Sequence, residues 1–219
     1  MTRTVYLAGP TVFAPDAEAL FATMKRICVT HGLLGVAPLD NQIDLAGREP
    51  GRALARDIVA ADIALMHRVD AAVFCLDGFR RGPEMDPGTA FEIGYMHALN
   101  KPLAGWTRDV RDYPARVACF LSLGEGEGGR HPTANAQSGT AQSGTAQSGT
   151  AQSGTAQSGT AQSGTQRDPD GILIHSEGCF QNAMTEIGIE RSGGRVYADR
   201  DWTAAFAAAI AGLATRLRA

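Results

Sequence analysis

The segment Pro87–Leu99, PGTAFEIGYMHAL, carries one formally charged side chain, Glu92, among Ala90, Phe91, Ile93, Met96 and Leu99. Apolar residues nearly all round a helical segment predict a buried helix. A carboxylate on such a helix has to be paired or used, because an isolated buried charge is costly. Two readings follow: Glu92 is a salt-bridged structural acid, or it is a nucleophile or general acid/base facing a cleft. Asp86 stands directly before Pro87, the arrangement of an N-cap followed by proline at the first helical position. Capping alone explains Asp86, and a second role in the site is compatible with it. Other reactive residue types offer less. Cys28, Cys75, Cys119 and Cys179 are widely spaced and form no Cys-x-x-Cys, which reads as reduced, mostly buried thiols of a cytoplasmic protein. The five histidines supply no paired ligand spacing, so no metal is expected. His67, His97 and His175 read as structural or exposed.

Strands and helices must alternate to position these groups. Thr4–Ala8 is a β-rich run stopped by Gly9-Pro10. Asp16–His31 has a helical stripe at Leu20, Phe21, Met24, Ile27 and Cys28, with Gly32 as its stop. Leu33–Pro38 reads as a strand and Arg52–His67 as a helix through Leu54, Ile58, Ala61 and Leu65. Ala71–Leu76 is a continuous apolar run, the pattern of a strand buried on both faces. Pro102–Trp106 follows the Glu92 helix as a further strand. Gly178–Glu190 looks helical, Arg195–Ala198 extended, and Trp202–Arg218 is an Ala-rich helix. This order argues an α/β fold: a single doubly wound parallel sheet, flavodoxin-like or Rossmann-like, with helices on both faces. Ligands in such sheets sit beyond the carboxyl ends of the strands, which directs attention to loops 9–15, 39–51 and 77–88.

Composition bounds the rest. The 219 residues fit one large domain or two small ones, and 44% hydrophobic residues suffice for a sizeable core. A formal charge of −3 gives no excess of Lys and Arg for a nucleic-acid partner. No apolar stretch approaches the roughly 18 residues of a membrane span, and the N-terminus lacks a signal-peptide layout. Residues 136–165 are six copies of Ala-Gln-Ser-Gly-Thr. Such a tract cannot bury enough apolar surface to offset its ordering entropy. The reading is one domain over 1–219, interrupted by a flexible low-complexity insertion over 124–167, whose repeats would span about 30 Å as a coil.

The stretch Asp86–Pro102, DPGTAFEIGYMHALNKP, resembles the signature of the nucleoside 2-deoxyribosyltransferases. Val5–Phe13 (VYLAGPTVF), Pro38–Gln42 (PLDNQ), Phe79–Asp86 (FRRGPEMD) and Asn182–Met184 (NAM) are similar to further segments of that family, in the expected order. The resemblance implies roles. Glu92 matches the nucleophile that attacks C1′ of deoxyribose, and Tyr6 the phenol that orients it. Asp62 and Asp86 match the acids that handle the base and its proton. Gln42 matches a side chain on the base edge, and Asn182 an amide that reaches the sugar 5′-hydroxyl from a neighbouring subunit. Gly9, Phe13 and Gly88 fall within the matching substrate-side segments. The implied partners are 2′-deoxynucleosides and free bases, with a homo-oligomer sharing its sites, and no cofactor. An extra arginine in Phe79–Gly82 departs from the family's Phe-Arg-Gly. Arg80 and Arg81 read as a solvated pair, and Asp77 matches no role.

The chemistry is coherent. Cleaving an N-glycosidic bond builds positive charge on the sugar, which a carboxylate stabilises and then captures at C1′. A second acid protonates the departing base. An incoming base reverses the steps with retained configuration, as in retaining glycosidases. Two other classes compete: an N-glycosidase that passes the sugar of a nucleoside 5′-monophosphate to water, and a non-catalytic nucleotide-binding module.

Overall fold

The computed structural model describes residues 2–40, 48–124, 166–175 and 177–218. β1 (Arg3–Ala8) leads through a short 3-10 turn at Pro10–Phe13 to α1 (Ala17–Thr30) and β2 (Leu33–Val36). α2 (Arg52–Arg68), β3 (Ala71–Cys75), α3 (Pro87–Ala98) and β4 (Leu103–Thr107) continue the alternation. α4 (Tyr113–Gly124) follows, then a two-stranded antiparallel hairpin of β5 (Gln166–Arg167) and β6 (Leu173–Ile174). α5 (Ala183–Arg191), β7 (Val196–Ala198) and α6 (Trp202–Arg218) close the chain. The main sheet has the order β2-β1-β3-β4-β7, and every pairing in it is parallel. This is the doubly wound Rossmann-like arrangement that the alternation implies.

The two-residue period of a strand sorts the core. Val5 and Leu7 join α1 and α6 side chains such as Phe21, Met24, Phe206 and Ile210 in one cluster. Tyr6 and Ala8 join Leu65 and Met66 of α2, Ile93 and Met96 of α3, and Ile189 of α5 in the other. Helices α1 and α6 therefore cover one face, and α2, α3 and α5 the opposite face. β3 and β4 are buried along their whole length, as the uninterrupted apolar sequence of β3 requires.

Three expectations shift. Helix α3 is not wholly buried: Thr89, Ile93 and Met96 face the sheet, whereas Phe91 is 55% exposed. An outer helix touches the sheet on one stripe only, so apolar residues off that stripe face outward. The late helix starts at Ala183 rather than Gly178, because Glu186 turns back to accept from Phe180 N and Gln181 N at 2.7 and 3.3 Å. The span expected for the insertion is shorter at its ends, since Gly124 closes α4 and Gln166–Arg167 form β5. The repeats at 136–165 lie outside the described residues.

Among the described residues, no helix is long and apolar enough to cross a membrane. All four cysteines are free, and Cys28, Cys75 and Cys179 are buried.

Candidate active site

Tyr6 projects from β1 onto the α2/α3 face and is fully buried. Its hydroxyl donates to Glu92 Oε1 at 2.6 Å, a short charge-assisted bond. Glu92 stands in the second turn of α3 and is half-buried. Burial pushes its carboxyl up to about 7, the Tyr6 bond opposes that rise, and the charges of Asp62 and Asp86 add to it. Asp62, on α2, is itself raised by burial. Burial and the neighbouring Glu92 carboxylate raise the Tyr6 phenol far above its ordinary value, so it remains a proton donor. Three acids from two helices thus share one partly desolvated place, and one of them sits poised near neutrality.

Asp86 caps α3. Its Oδ2 accepts from Thr89 N at 2.8 Å and Thr89 Oγ1 at 3.0 Å, which leaves Oδ1 without a hydrogen bond among the described residues. Gly88 makes this possible, since a Cβ there would lie 2.9 Å from Asp86 Oδ2. Gly9, at the end of β1, has φ +145°, and a Cβ on it would lie 2.6 Å from Cys75 Cβ. Only glycine lets the β1 loop turn this close to β3. Phe13, at the end of that turn, is 63% exposed and stacks obliquely on Phe79 with centroids 5.5 Å apart.

The remaining expected residues are placed differently. Asn182 is the N-cap of α5 and accepts from Met184 N at 2.9 Å. It makes no hydrogen bond to Glu92 or Tyr6 within the chain. Gln42 lies outside the described residues. Arg80 and Arg81 take left-handed φ values of 49° and 66° on an exposed loop. The Arg80 guanidinium covers the Phe79 ring at 4.8 Å.

Sequence reasoning missed the braces. Gln181 is buried; its Nε2 donates to Leu76 O and Pro83 O, both at 3.0 Å, and its Oε1 accepts from Met85 N at 3.1 Å. That side chain fixes the loop that delivers Asp86. Asp77 accepts from Thr107 Oγ1 at 2.9 Å and from Arg108 N and Nε at 2.7 and 2.6 Å, tying the end of β3 to the end of β4. Arg116 of α4 is buried beside them and donates to Leu76 O and Thr107 Oγ1, both at 2.9 Å. The available signal for Asp77 was its place immediately after a fully apolar strand, at the carboxyl edge where loops build sites.

A family model described as nucleoside 2-deoxyribosyltransferase matches residues 5–184. The uncharacterized protein C191.05c of Schizosaccharomyces pombe is 41% identical over 213 residues, covering 97% of this chain and 89% of that protein. A solved structure described as 2-desoxiribosyltransferase from Leishmania mexicana is similar in fold, with a TM-score of 0.56 and 22% identity. That likeness covers 95% of this chain and 97% of the other.

Proposed function

The chain belongs to the nucleoside 2-deoxyribosyltransferase family, and from that premise we propose that it moves 2-deoxyribose between bases through a covalent ester on Glu92. The observation that carries the proposal is the Tyr6–Glu92 bond at 2.6 Å beside two further carboxylates. Tyr6 occupies Glu92 Oε1 and leaves Oε2 to attack C1′. As the C1′–N bond breaks, its electron pair goes to the base, and a proton from Asp62 or Asp86 neutralises the leaving nitrogen. The raised carboxyl of Asp62 suits it to carry that proton. The resulting ester at C1′ is opened by the nitrogen of a second base. Two inversions at C1′ retain the β-configuration. No cofactor enters these steps.

Phe91, Met184 and Ile187 leave α3 and α5 with exposed apolar side chains. They support a homo-oligomer in which a second copy covers this face and Asn182 reaches the sugar of a neighbouring site. The single-domain reading with an inserted repeat tract goes with this proposal, as do Gly9, Phe13, Gln42 and Gly88 on the substrate side.

The test incubates the protein with 2′-deoxyinosine and adenine and separates the products by chromatography. The proposal requires 2′-deoxyadenosine, with inosine a far poorer donor. Hypoxanthine and free deoxyribose as the main products, with adenine ignored, would assign the site to hydrolysis instead.

A further inference from the structure

A cavity of about 380 Å³ opens at the carboxyl edge of β1, β3 and β4. Its lining includes four aromatic side chains: Phe13 and Phe79, with centroids 5.5 Å apart, and Trp106 and Trp202, with centroids 6.1 Å apart. A second cavity of about 410 Å³ adjoins it through the shared residues Asp77, Gly78 and Arg108, and is lined further by Arg111 and Arg200. Tyr6, Asp62, Asp86 and Glu92 line neither cavity. Trp106 belongs to the core cluster on the α1/α6 face, whereas Tyr6 belongs to the cluster on the α2/α3 face.

Charge at the junction is set in advance. Arg108 spends its Nε on Asp77 Oδ2, and its two terminal nitrogens have no partner among the described residues. Arg111 spends Nε and Nη2 on Asp109. Both lining carboxylates are ion-paired with these arginines, and Arg200 adds a third guanidinium to the lining. Aromatic side chains beside ion-paired guanidinium groups suit a heteroaromatic ring joined to a phosphate. The volumes are in the range of small-ligand sites.

We propose that the joined cavities form a second binding site, separate from Glu92, for a nucleoside 5′-monophosphate. The base lies against Phe79 and Trp202, and the phosphate meets Arg108, Arg111 and Arg200. This site adds to the base-exchange reading and does not depend on it.

The chain's two tryptophans both line the cavity, so tryptophan fluorescence reads it directly and without catalysis. Glu92→Gln protein is titrated with 2′-deoxyadenosine 5′-monophosphate, with 2′-deoxyadenosine, and with inorganic phosphate as competitor, under excitation that adenine does not absorb. The monophosphate is expected to quench saturably, with the same midpoint in protein that retains Glu92. Arg200→Gln, at an exposed position, should weaken the monophosphate about tenfold, the loss of a charge-assisted contact. The same substitution should leave the midpoint for 2′-deoxyadenosine and the rate of base exchange unchanged. Absence of quenching overturns the proposal, as does equal binding of nucleoside and monophosphate. Displacement by inorganic phosphate at the same concentration as the monophosphate would reduce the site to an anion contact and also overturn it. Loss of exchange in parallel with quenching in Arg200→Gln would place the cavity within the reacting site. If exchange is never detected while the quenching behaves as described, only the catalytic reading fails.

Discussion

Replacing Tyr6 by Phe isolates the interaction on which the catalytic proposal turns. The ring is fully buried in the α2/α3 cluster, so phenylalanine keeps its packing and removes only the hydroxyl. That hydroxyl donates to Glu92 Oε1 at 2.6 Å and holds the carboxyl down against burial and two neighbouring acids. A hydrogen bond to a charged group contributes about 1.5–3 kcal/mol. At about 1.4 kcal/mol per pH unit, its loss should raise the carboxyl by roughly one to two units above its present value of about 7. Attack requires the carboxylate, so kcat/KM for base exchange rises with pH through this ionisation. In the wild type the acid limb should bend near pH 7, and in Tyr6→Phe it should bend between about pH 8 and 9. Below both bends the variant should be about 10–100-fold slower, and above both the gap should narrow to whatever orientation the bond also supplied. The assay is initial-rate exchange from 2′-deoxyinosine to adenine over a pH series. A Tyr6→Phe profile parallel to the wild type, or one whose acid limb moves to lower pH, would refute the reasoning.

Asn182→Ala should slow exchange by roughly tenfold to a hundredfold, from a lost polar contact of about 1–3 kcal/mol. A 5′-deoxy substrate analogue should lose far less. Mixed oligomers reassembled from Glu92→Ala and Asn182→Ala chains should be more active than either parent; no recovery after confirmed reassembly would remove the contribution in trans. Deleting residues 136–165, which carry no charge and no large apolar side chain, should leave thermal stability and exchange rate nearly unchanged. Aggregation or loss of exchange in the deletion variant would show that the tract does more than connect.

What the sequence carried was local. The apolar run 71–76 and the stripes of the first and second helices are encoded by spacing alone, and they fall on β3, α1 and α2. The isolation of Glu92 on an apolar helix was equally visible, and so was the Asp86–Pro87 cap, which the Thr89 bonds complete. Period-two alternation places Tyr6 on one face of β1, but only the crossover of α3 to that same face brings the phenol to Glu92, 86 positions away. Long-range polar contacts left no periodic trace. Gln181 reaches Leu76 O across 105 positions and Asp77 meets Arg108 Nε across 31, and nothing in either segment announces its partner. Helix α4 carries no clear apolar stripe in the sequence, because its buried face includes Arg116, whose charge reads as solvated until the carbonyls around it are known. Helix α5 begins at Ala183, inside the segment Gly178–Glu190 that looks helical, because the Glu186 carboxylate holds Phe180 and Gln181 in a turn ahead of the helix. Phe91 is exposed on α3, and an apolar sequence cannot distinguish the stripe of a helix that meets the sheet from the apolar residues beside it.

The central claim is a covalent bond between C1′ of deoxyribose and the Glu92 carboxylate. It is tested most directly by acid-quenching the protein during turnover of a slow 2′-deoxynucleoside without acceptor base, then digesting it and mapping the adduct by mass spectrometry. The account predicts a deoxyribosyl mass increment on the peptide containing Glu92, absent from Glu92→Ala and discharged when adenine is added before the quench. An adduct on any other residue, or base exchange by Glu92→Ala at a rate near the wild type, would contradict it.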